Sequence, residues 1–157
     1  MILSFAEFIN NYDCSSKLHI VGGGAMLKSL KLMADELNIN ENCIFHGFIS
    51  ISKVQELMQI SKTLVSTSRF EGMALVRLEA LANGCCVVST NTGGTDLFDS
   101  VRSHGLFVVD TDARSIAKAM FKSLEPEYWT EENTNARRAI VKHFQPSVIA
   151  SQLIDFT

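Results

Sequence analysis

Two carboxylates are the side chains of this sequence that stand out as candidates for a binding or catalytic site. Glu71 lies in a polar segment, residues 67–72, and Glu79 lies inside an almost uniformly apolar stretch, residues 74–82. Burying an unpaired carboxylate costs several kcal/mol, so Glu79 needs a partner. Two interpretations stay open: a salt bridge to an arginine or lysine of a neighbouring element, or a crevice in which Glu79 accepts hydrogen bonds from ligand hydroxyls.

The segments around these carboxylates predict a strand–helix–strand unit. Residues 63–66 and 86–89 are short runs typical of buried strands. Between them the pattern predicts a helix over about residues 73–82, which ends at Asn83 and Gly84 because these residues tolerate the left-handed conformation that follows a helix. Two strands joined by a helical crossover indicate a parallel sheet.

The rest of the chain alternates in the same way. Five strands alternating with helices predict an α/β fold, a Rossmann-like open parallel sheet with helices on both faces. Ligands of such sheets bind at the carboxyl ends of the strands, so we expect the loops after the strands to converge on one crevice. The further predicted strands are residues 17–21, 42–47 and 106–109, and the predicted helices are 2–12, 25–37, 52–60 (capped by Ser52), 95–101, 113–124, 130–142 and 147–156.

The turn at residues 22–24 consists of three glycines between a predicted strand and a predicted helix. Such a turn lets backbone amides approach a phosphate at the N-terminus of the helix. Leu27 stands where a G-x-G-x-x-G fingerprint requires its third glycine, and no G-K-[ST] follows, so the NAD and P-loop motifs are excluded. The alternative is a tight turn that binds no ligand.

Composition and charge exclude several other classes of function. The 157 residues, 46% hydrophobic and 20% charged, fit one globular domain, and a net charge of −3 without a basic cluster argues against nucleic acid as a partner. No apolar run reaches the length of a transmembrane helix and no signal peptide is apparent, which predicts a cytoplasmic protein. The cysteines and histidines lack ligand spacing, so the cysteines are expected to be reduced core residues and no metal site is predicted.

The segment SRFEGMALVRLEALANGCCVVSTNTGG, residues 68–94, resembles the donor-binding half of the retaining GT-B glycosyltransferases of group 1. Glu71 and Glu79 have the spacing of the E-x7-E hallmark of that family. The flanking motifs L-x-I-V-G-x-G at residues 18–24 and I-F-H-G at residues 44–47 also fit, so the resemblance covers nearly the whole chain. The residues shared with the central pattern P-S-x-x-E-G-F-G-L-x-x-x-E-A-x-A-x-G-x-P-V also include Ser68, Gly72, Leu75, Ala80, Ala82, Gly84 and Val87.

The resemblance implies a role for each matching residue. Glu71 would be the catalytic residue that contacts the donor sugar, and Glu79 would hold the ribose hydroxyls. Backbone amides at the start of the central helix would meet the sugar and the diphosphate, the glycine turn would permit close approach, and the loop after the second strand would border the base. The predicted nucleotide-sugar-binding residues are thus Glu79, Gly72, Met73, Ala74, Leu75, Val76, Gly22, Gly23, Gly24, His46, Gly47, Phe48 and Ser68.

The implied donor is a nucleotide-diphosphate sugar, with a UDP-sugar expected first and a GDP- or ADP-sugar as the alternatives. Transfer would retain the anomeric configuration and would need neither a metal nor a cofactor, because protein donors stabilise the departing diphosphate. The implied function is donor binding in a hexosyltransferase of bacterial surface polysaccharide biosynthesis (lipopolysaccharide, capsule or exopolysaccharide). The acceptor would be a glycan or a lipid-linked glycan, and the full-length protein would lie at the inner face of the plasma membrane.

The sequence departs from the family pattern at its start. The donor half of the family begins with a strand and a G-R-x-x-x-x-K-G loop that clamps the diphosphate, whereas this chain begins on the helix that follows them. We therefore expect residues 1–157 to be the C-terminal domain of a longer two-domain enzyme, without that strand, the clamp and the N-terminal acceptor domain, and to be inactive or weakly active alone. Two alternatives remain open: half of a nucleotide-sugar epimerase, or a non-catalytic remnant or partner subunit.

Overall fold

The computed structural model of the protein describes residues 1–72 and 75–144, along which helices and strands alternate. The predicted helix at residues 147–156 lies outside the described residues. The α-helices are α1 (Ile2–Asn11), α2 (Leu27–Glu36), α3 (Ile51–Ile60), α4 (Leu75–Ala82), α5 (Ala113–Lys122) and α6 (Glu131–Ala139). The strands are β1 (Leu18–Val21), β2 (Cys43–Gly47), β3 (Thr63–Ser66), β4 (Cys86–Thr90) and β5 (Leu106–Val109), and short 3-10 helices span Asn40–Asn42, Asp96–His104, Pro126–Trp129 and Ile140–Phe144.

All strand pairs are parallel, and they form two sheets. β1 pairs with β2, and β4 lies between β3 and β5. The register places Leu18 opposite Cys43 in the first sheet and Val87 opposite Leu64 and Leu106 in the second. The predicted α/β class with parallel strands is confirmed. The strands form two sheets because β1 and β3 do not pair with each other; both line an apolar groove.

Side chains of β4 alternate between two hydrophobic cores, one on each face of the three-stranded sheet. Val88 packs into the core that holds Phe5 of α1 and Ile116 of α5, and Val87 packs into the core that holds Leu81 of α4. All five residues of β4 are buried, as expected for a parallel strand covered by helices on both faces. The prediction of helices on both faces is therefore confirmed.

The helix α4 ends where the sequence predicts. Gly84 adopts a φ of 87°, and its amide donates to the Leu81 carbonyl at 2.8 Å. The Cys85 amide donates to the Ala80 carbonyl at 3.0 Å, which completes a Schellman arrangement. The chain is thereby turned directly into β4.

The cap of α3 differs from the prediction. Ser50, not Ser52, is the N-cap, because the helix begins two residues earlier than a cap at Ser52 requires and the Ser50 hydroxyl accepts a hydrogen bond from the Lys53 amide at 3.3 Å. Two predicted helices also differ in type. Residues 96–104 form a 3-10 helix, and the predicted helix at 130–142 changes from α to 3-10 at Ile140.

A buried arginine holds α6 against the sheet. Arg137 is fully buried and donates to the carbonyl oxygens of Gly84 at 2.9 Å and Tyr128 at 2.8 Å, and also to that of His104. Hydrogen bonds from a charged donor are worth about 1.5–3 kcal/mol each, so Arg137 has a structural role.

The cysteines follow the prediction with one exception. Cys43, Cys85 and Cys86 are buried, and this burial raises the pKa of the Cys85 and Cys86 thiols to about 11. Cys14 is exposed in the turn between α1 and β1, so the prediction of a core position is wrong for this residue.

Candidate functional site

The loops that follow β3 and β4 meet at the carboxyl edge of the three-stranded sheet. Thr90, the last residue of β4, donates a hydrogen bond from its hydroxyl to the Ser68 carbonyl at 2.5 Å. The Thr95 hydroxyl donates to the Thr92 carbonyl at 2.7 Å and closes the turn after β4. These contacts hold residues 67–72 beside residues 91–95.

An open cavity of about 520 Å³ lies between these two loops. The close approach of the loops depends on Gly93: a Cβ atom there would collide with the carbonyl oxygen of Glu71 and lie 2.9 Å from that of Gly72. Any side chain at this position would push the loops apart and change the shape of the cavity. The cavity is lined by Arg69, Phe70, Glu71, Gly72, Asn91, Thr92 and Gly93.

Glu71 is exposed at this cavity, and Ser68 orients its carboxylate. The Ser68 hydroxyl donates to Glu71 Oε1 at 2.7 Å. Phe70, the residue before it, is 93% exposed, so its ring is available to contact the apolar face of a ligand. The structure thus brings together Ser68, Glu71 and Gly72, three of the predicted site residues.

A buried arginine lies beneath the cavity. Arg77 is fully buried and donates to the Ser89 hydroxyl at 3.3 Å and to the Gly93 carbonyl at 3.1 Å. No carboxylate in residues 1–72 and 75–144 lies within 4.0 Å of its guanidinium, and Nε has no hydrogen-bond partner there. Burial lowers the pKa of Arg77, while the negative charge of Glu71 opposes this shift. A buried guanidinium without a paired carboxylate in the described residues is therefore bonded to Gly93, which lines the cavity.

The structure corrects the expected environment of Glu79. Its side chain is exposed, and within the described part of the chain it forms no salt bridge, so the salt-bridge interpretation is wrong. The reason is that α4 buries only one face, which carries Arg77, Ala80 and Leu81. The charge buried in this apolar helix is Arg77.

The start of α4 lies beside the cavity loop. Met73 and Ala74 are outside the described residues. Leu75 and Val76 form the first turn of α4, and both are partly exposed, at 56% and 38%. Amides in the first turn of a helix lack intrahelical acceptors, so these two can donate to a ligand.

The loops after β1 and β2 form a second cluster, in which backbone groups of glycine residues make the contact between the loops. The Gly22 amide donates to the Gly47 carbonyl at 2.7 Å. Gly22, Gly24 and Gly47 have φ values of 112°, 129° and 67°, in the region that favours glycine. The ring of Phe48, 86% exposed, lies over Gly23, where a Cβ atom would come within 2.7 Å of it. The predicted glycine turn and the predicted base loop therefore contact each other.

His46 is joined to His19 on the neighbouring strand. The His19 Nδ1 and His46 Nε2 atoms are 2.9 Å apart, and the two rings stack with centroids 5.1 Å apart. Such a bond needs one ring nitrogen as donor and the other as acceptor, so at least one ring is neutral. Burial is the larger cause that lowers the pKa of His19, and the neighbouring His46 lowers this pKa further.

Comparison with known proteins assigns the domain that carries both loop clusters to a protein family. The family model described as Glycosyl transferases group 1 matches residues 1–142. The chain belongs to this family. The matched range contains the loops after all four of β1, β2, β3 and β4, so both clusters are parts of one group 1 domain.

Relatives of this group 1 domain come from bacteria, an archaeon and a plant. The chain is 22% identical over 158 residues to the poly(ribitol-phosphate) α-N-acetylglucosaminyltransferase of Staphylococcus aureus, covering 99% of this chain and 31% of that protein. A structure of a Staphylococcus aureus TarM mutant in complex with Fondaparinux, α-GlcNAc-glycerol and UDP superimposes with a TM-score of 0.81 at 22% identity, over 98% of this chain and 31% of that one. Anabaena HepE in complex with UDP gives a TM-score of 0.79 at 20% identity, over 99% and 43%.

These likenesses confirm the GT-B type of fold for the domain. The chain spans about a third of the length of the curated relatives it matches, 36% and 31% of the first two.

In this group 1 domain the predicted site residues form two clusters rather than one crevice. No hydrogen bond in the described ranges joins the loops after β1 and β2 to those after β3 and β4. Sequence reasoning placed the loop at residues 91–95 at this edge but missed Arg77 and Phe70. The position of Arg77 in the middle of an apolar helix was a usable signal. A guanidinium, like a carboxylate, is rarely buried unless other groups pair with it or hydrogen-bond to it.

No helix in the described residues has the length and apolar character needed to cross a membrane. No group of three or more His, Cys, Asp or Glu side chains among them could hold a metal ion.

Proposed function

We propose that residues 1–157 form the C-terminal, donor-binding domain of a retaining GT-B glycosyltransferase and bind a nucleotide-diphosphate sugar at the carboxyl edge of the strands. The observation that carries this proposal is the cavity in which the exposed carboxylate of Glu71, oriented by Ser68, shares the lining with Arg69 and with Gly93, whose carbonyl accepts a hydrogen bond from the buried Arg77. A nucleotide sugar combines hydroxyl donors with an anionic diphosphate, so it complements both a carboxylate acceptor and a cation.

Glu71 is the residue assigned to the donor sugar. Its carboxylate lies in the loop before α4 and is accessible from the cavity. The first-turn amides of α4, at Leu75 and Val76, would receive the diphosphate together with the amides of Met73 and Ala74. The helix N-terminus and the buried Arg77 both favour the negative charge that develops on the departing diphosphate. Stabilisation of this kind lets the bond to the sugar break without a metal ion.

Glu79 is assigned to the ribose. It lies four residues after Leu75 and three after Val76, so its side chain shares a helix face with the first turn of α4. The Glu79 carboxylate lies one helical turn beyond the amides that would bind the diphosphate. In a bound donor the ribose is attached to the diphosphate, so its hydroxyls would lie at this carboxylate. Its exposure leaves both carboxylate oxygens free to accept from adjacent hydroxyls.

The cluster after β1 and β2 is assigned to the nucleotide. Glycines 22–24 leave the backbone open to close approach, and the loop His46–Phe48 carries an exposed ring that can border the base. A UDP-sugar is the donor we propose first. Two structural neighbours were determined with UDP, which supports this choice.

The wider role is a proposal that rests on the relatives. The poly(ribitol-phosphate) α-N-acetylglucosaminyltransferase among them acts on a polymer by name, which supports a hexosyltransferase of bacterial surface polysaccharide biosynthesis. In the complete enzyme an N-terminal domain would bind a glycan or lipid-linked acceptor and orient it toward the donor, which accounts for much of the rate in a two-substrate reaction.

Calorimetric titration of the chain with UDP, GDP and ADP tests the proposal. We expect one nucleotide, UDP first, to bind with a Kd between micromolar and low millimolar, and Glu79→Gln to weaken this binding about tenfold or more. Glu36→Gln is the matched control, since Glu36 is equally exposed in the last turn of α2 and lies outside both clusters. The proposal fails if the folded chain binds none of the three nucleotides, or if both variants weaken binding equally.

A further inference from the structure

Two histidines, His19 and His46, link β1 to β2 close to the point where both strands leave the sheet. His19 lies three residues before Gly22, and His46 immediately precedes Gly47. Their Nδ1 and Nε2 atoms are 2.9 Å apart, and the two rings are nearly parallel, at 14°. This histidine pair is therefore a side-chain contact directly before the two loops that form the cluster after β1 and β2.

The pairing of β1 with β2 is irregular at His46. Ile20 lies opposite Phe45. The next residue, Val21, lies opposite Gly47, which leaves His46 without an opposite residue in β1. An extra residue of this kind is the arrangement of a β-bulge, and bulges often lie beside functional sites, where they change the direction of a side chain. The backbone at His46 is therefore not fixed by strand pairing, and its side-chain bond to His19 takes on this role.

The position of the bulge is passed to both loops through glycines. The Gly22 amide donates to the Gly47 carbonyl at 2.7 Å, and the ring of Phe48 lies over Gly23. Gly47 has a φ of 67°. Glycine adopts many backbone conformations, so a loop built from glycines keeps one conformation only where other contacts hold it. The histidine pair supplies such a contact next to Gly47.

The bond within the histidine pair depends on its protonation. Two neutral rings, or one neutral and one charged ring, provide both a donor and an acceptor nitrogen, whereas two charged rings provide donors alone. A second proton on the pair therefore breaks the bond and places two positive charges side by side. Burial and, to a lesser extent, the charge of His46 lower the pKa of His19 from its ordinary value of 6.5.

The surroundings of the pair do not offset this repulsion. Within the described part of the chain, no carboxylate lies within 4.0 Å of either ring. The charged side chains of the flanking elements and of the groove beside β1 have other contacts: Lys17 donates to the Glu41 carbonyl, Lys31 lies over Phe45, Lys62 lies over Trp129, and Lys53 pairs with Glu56. The charge that acts on His19 is that of His46.

We propose that His19 is a positioning residue for the nucleotide: its bond to His46 holds the bulge and the loop at Gly47 and Phe48 in the conformation that receives the base, and a second proton on the pair releases this loop. The inference rests on the proposed assignment of this loop to the nucleotide. It makes nucleotide affinity highest above about pH 6.5 and lower as the pH falls below that value.

Two substitutions of His19 separate the bond from the charge. His19→Asn keeps an amide near the position of Nδ1 and does not titrate, so it should keep the bond and lose the pH dependence. His19→Leu removes the bond at every pH. His104→Asn is the matched control, because His104 is also half-buried and hydrogen-bonded, to Asn133, but lies outside both clusters.

The first measurement uses the chain without a ligand. Hydrogen exchange of the Gly22 amide, which donates to Gly47, is compared with that of an unfolded peptide at about pH 7.5 and about pH 5.5. In the natural chain and in His104→Asn, we expect the protection of this amide to fall about fivefold or more at the lower pH. In His19→Asn the protection should be the same at both pH values, and in His19→Leu it should be low at both.

The second measurement is the affinity of the same proteins for UDP-glucose, by calorimetry at the same two pH values. Both phosphates of this probe are esterified and do not titrate in this range, whereas the terminal phosphate of UDP has a pKa of about 6. We expect the affinity of the natural chain and of His104→Asn to fall about fivefold at the lower pH. The affinity of His19→Asn should not change, and that of His19→Leu should be low at both pH values.

The two measurements distinguish failure of this inference from failure of the proposed function. Equal pH dependence of Gly22 protection in the natural chain and His19→Asn, or full protection in His19→Leu, overturns the inference. Affinities that do not follow the protection also overturn it and leave the proposed function intact. Absence of UDP-glucose binding at both pH values contradicts the proposed function, and with it the role of His19 toward a nucleotide. If the His19 variants do not fold, His46→Gln, which keeps an amide near the position of Nε2, replaces His19→Asn with the same expected results.

Discussion

The two loop clusters at the carboxyl edge of the strands are built from different chemistry. After β3 and β4, side chains define the site: Ser68 orients Glu71, and Arg77 donates a hydrogen bond to the carbonyl of Gly93 in the cavity lining. After β1 and β2, the backbone defines it, through glycines with left-handed φ values and an exposed ring over Gly23. One cluster thus has rigid charged contacts, and the other has open backbone, so similar substitutions should have unequal effects in the two.

The largest effect on UDP binding is expected from Gly93→Ala. The new methyl group would collide with backbone carbonyls, which cannot swing away as a side chain can, so the loops must separate. Overpacking of this kind costs about 1–3 kcal/mol, and we expect a loss of about 2 kcal/mol in the free energy of unfolding, measured by urea denaturation. UDP binding should fall below detection by calorimetry. A variant as stable as the natural chain, with unchanged UDP affinity, would show that Gly93 does not set the spacing of the loops.

The second effect separates a functional from a structural arginine. Arg77→Met removes a buried charge that has no ion-pair partner in the described residues, but it also removes the hydrogen bonds to Ser89 and Gly93, so the free energy of unfolding should fall by less than it does in Arg137→Met. UDP affinity should nonetheless fall about tenfold, because the positive charge held against Gly93 of the cavity is lost.

Arg137→Met is the control for this prediction, and it should show the opposite pattern. It leaves three backbone carbonyls without their charged donor, so the free energy of unfolding should fall by about 3 kcal/mol or more, while the protein that remains folded should bind UDP normally. If Arg77→Met were the more destabilising change, or bound UDP as the natural chain does, Arg77 would be a packing residue alone.

Local sequence signals were sufficient for the elements that carry the site. The apolar runs placed the strands to within one residue, and Asn83 with Gly84 marked the end of α4, because chain direction there depends on neighbouring residues alone. The pairing of strands depends on residues far apart in sequence. No local pattern could therefore reveal that β1 and β3 stay apart and divide the predicted crevice into two clusters.

The environments of Glu79 and Arg77 illustrate the same limit inside one helix. An octapeptide that is apolar almost all round has no clear buried face, so the sequence could not decide which charged residue lies inside. The packing of the layers determines which residue is buried. Arg77 lies on the same buried face of α4 as Ala80 and Leu81, whereas Glu79 is exposed. The roles of Glu71 and Glu79 toward a ligand stay predictions.

A smaller effect is expected from pH in the β1 and β2 cluster. Because the pKa of His19 lies below its ordinary value of 6.5, the folded state binds fewer protons than the unfolded state just below that pH. The free energy of unfolding therefore falls as the pH drops below 6.5 and is fully retained above it. His19→Asn removes this titration, so urea denaturation at about pH 7.5 and about pH 5.5 should show a smaller loss in the variant. An equal loss in both proteins would exclude His19 as the titrating group.

The smallest effect is expected from Gly23→Ala, the counterpart of the largest. The added methyl group meets only the ring of Phe48, which is 86% exposed and free to move. The free energy of unfolding should change by less than about 0.5 kcal/mol. A loss comparable to that of Gly93→Ala would remove the contrast between a backbone cluster and a side-chain cluster.

The most direct test of the central claim, that both clusters bind one nucleotide, is a titration of the labelled chain with UDP followed by the NMR shifts of its backbone amides. We predict that amides of Gly22 and Gly47 in one cluster, and of Gly72 and Gly93 in the other, shift together and report a single Kd. Shifts confined to one cluster, or two different Kd values, would contradict a shared site. The absence of any shift at millimolar UDP would contradict UDP as the donor nucleotide.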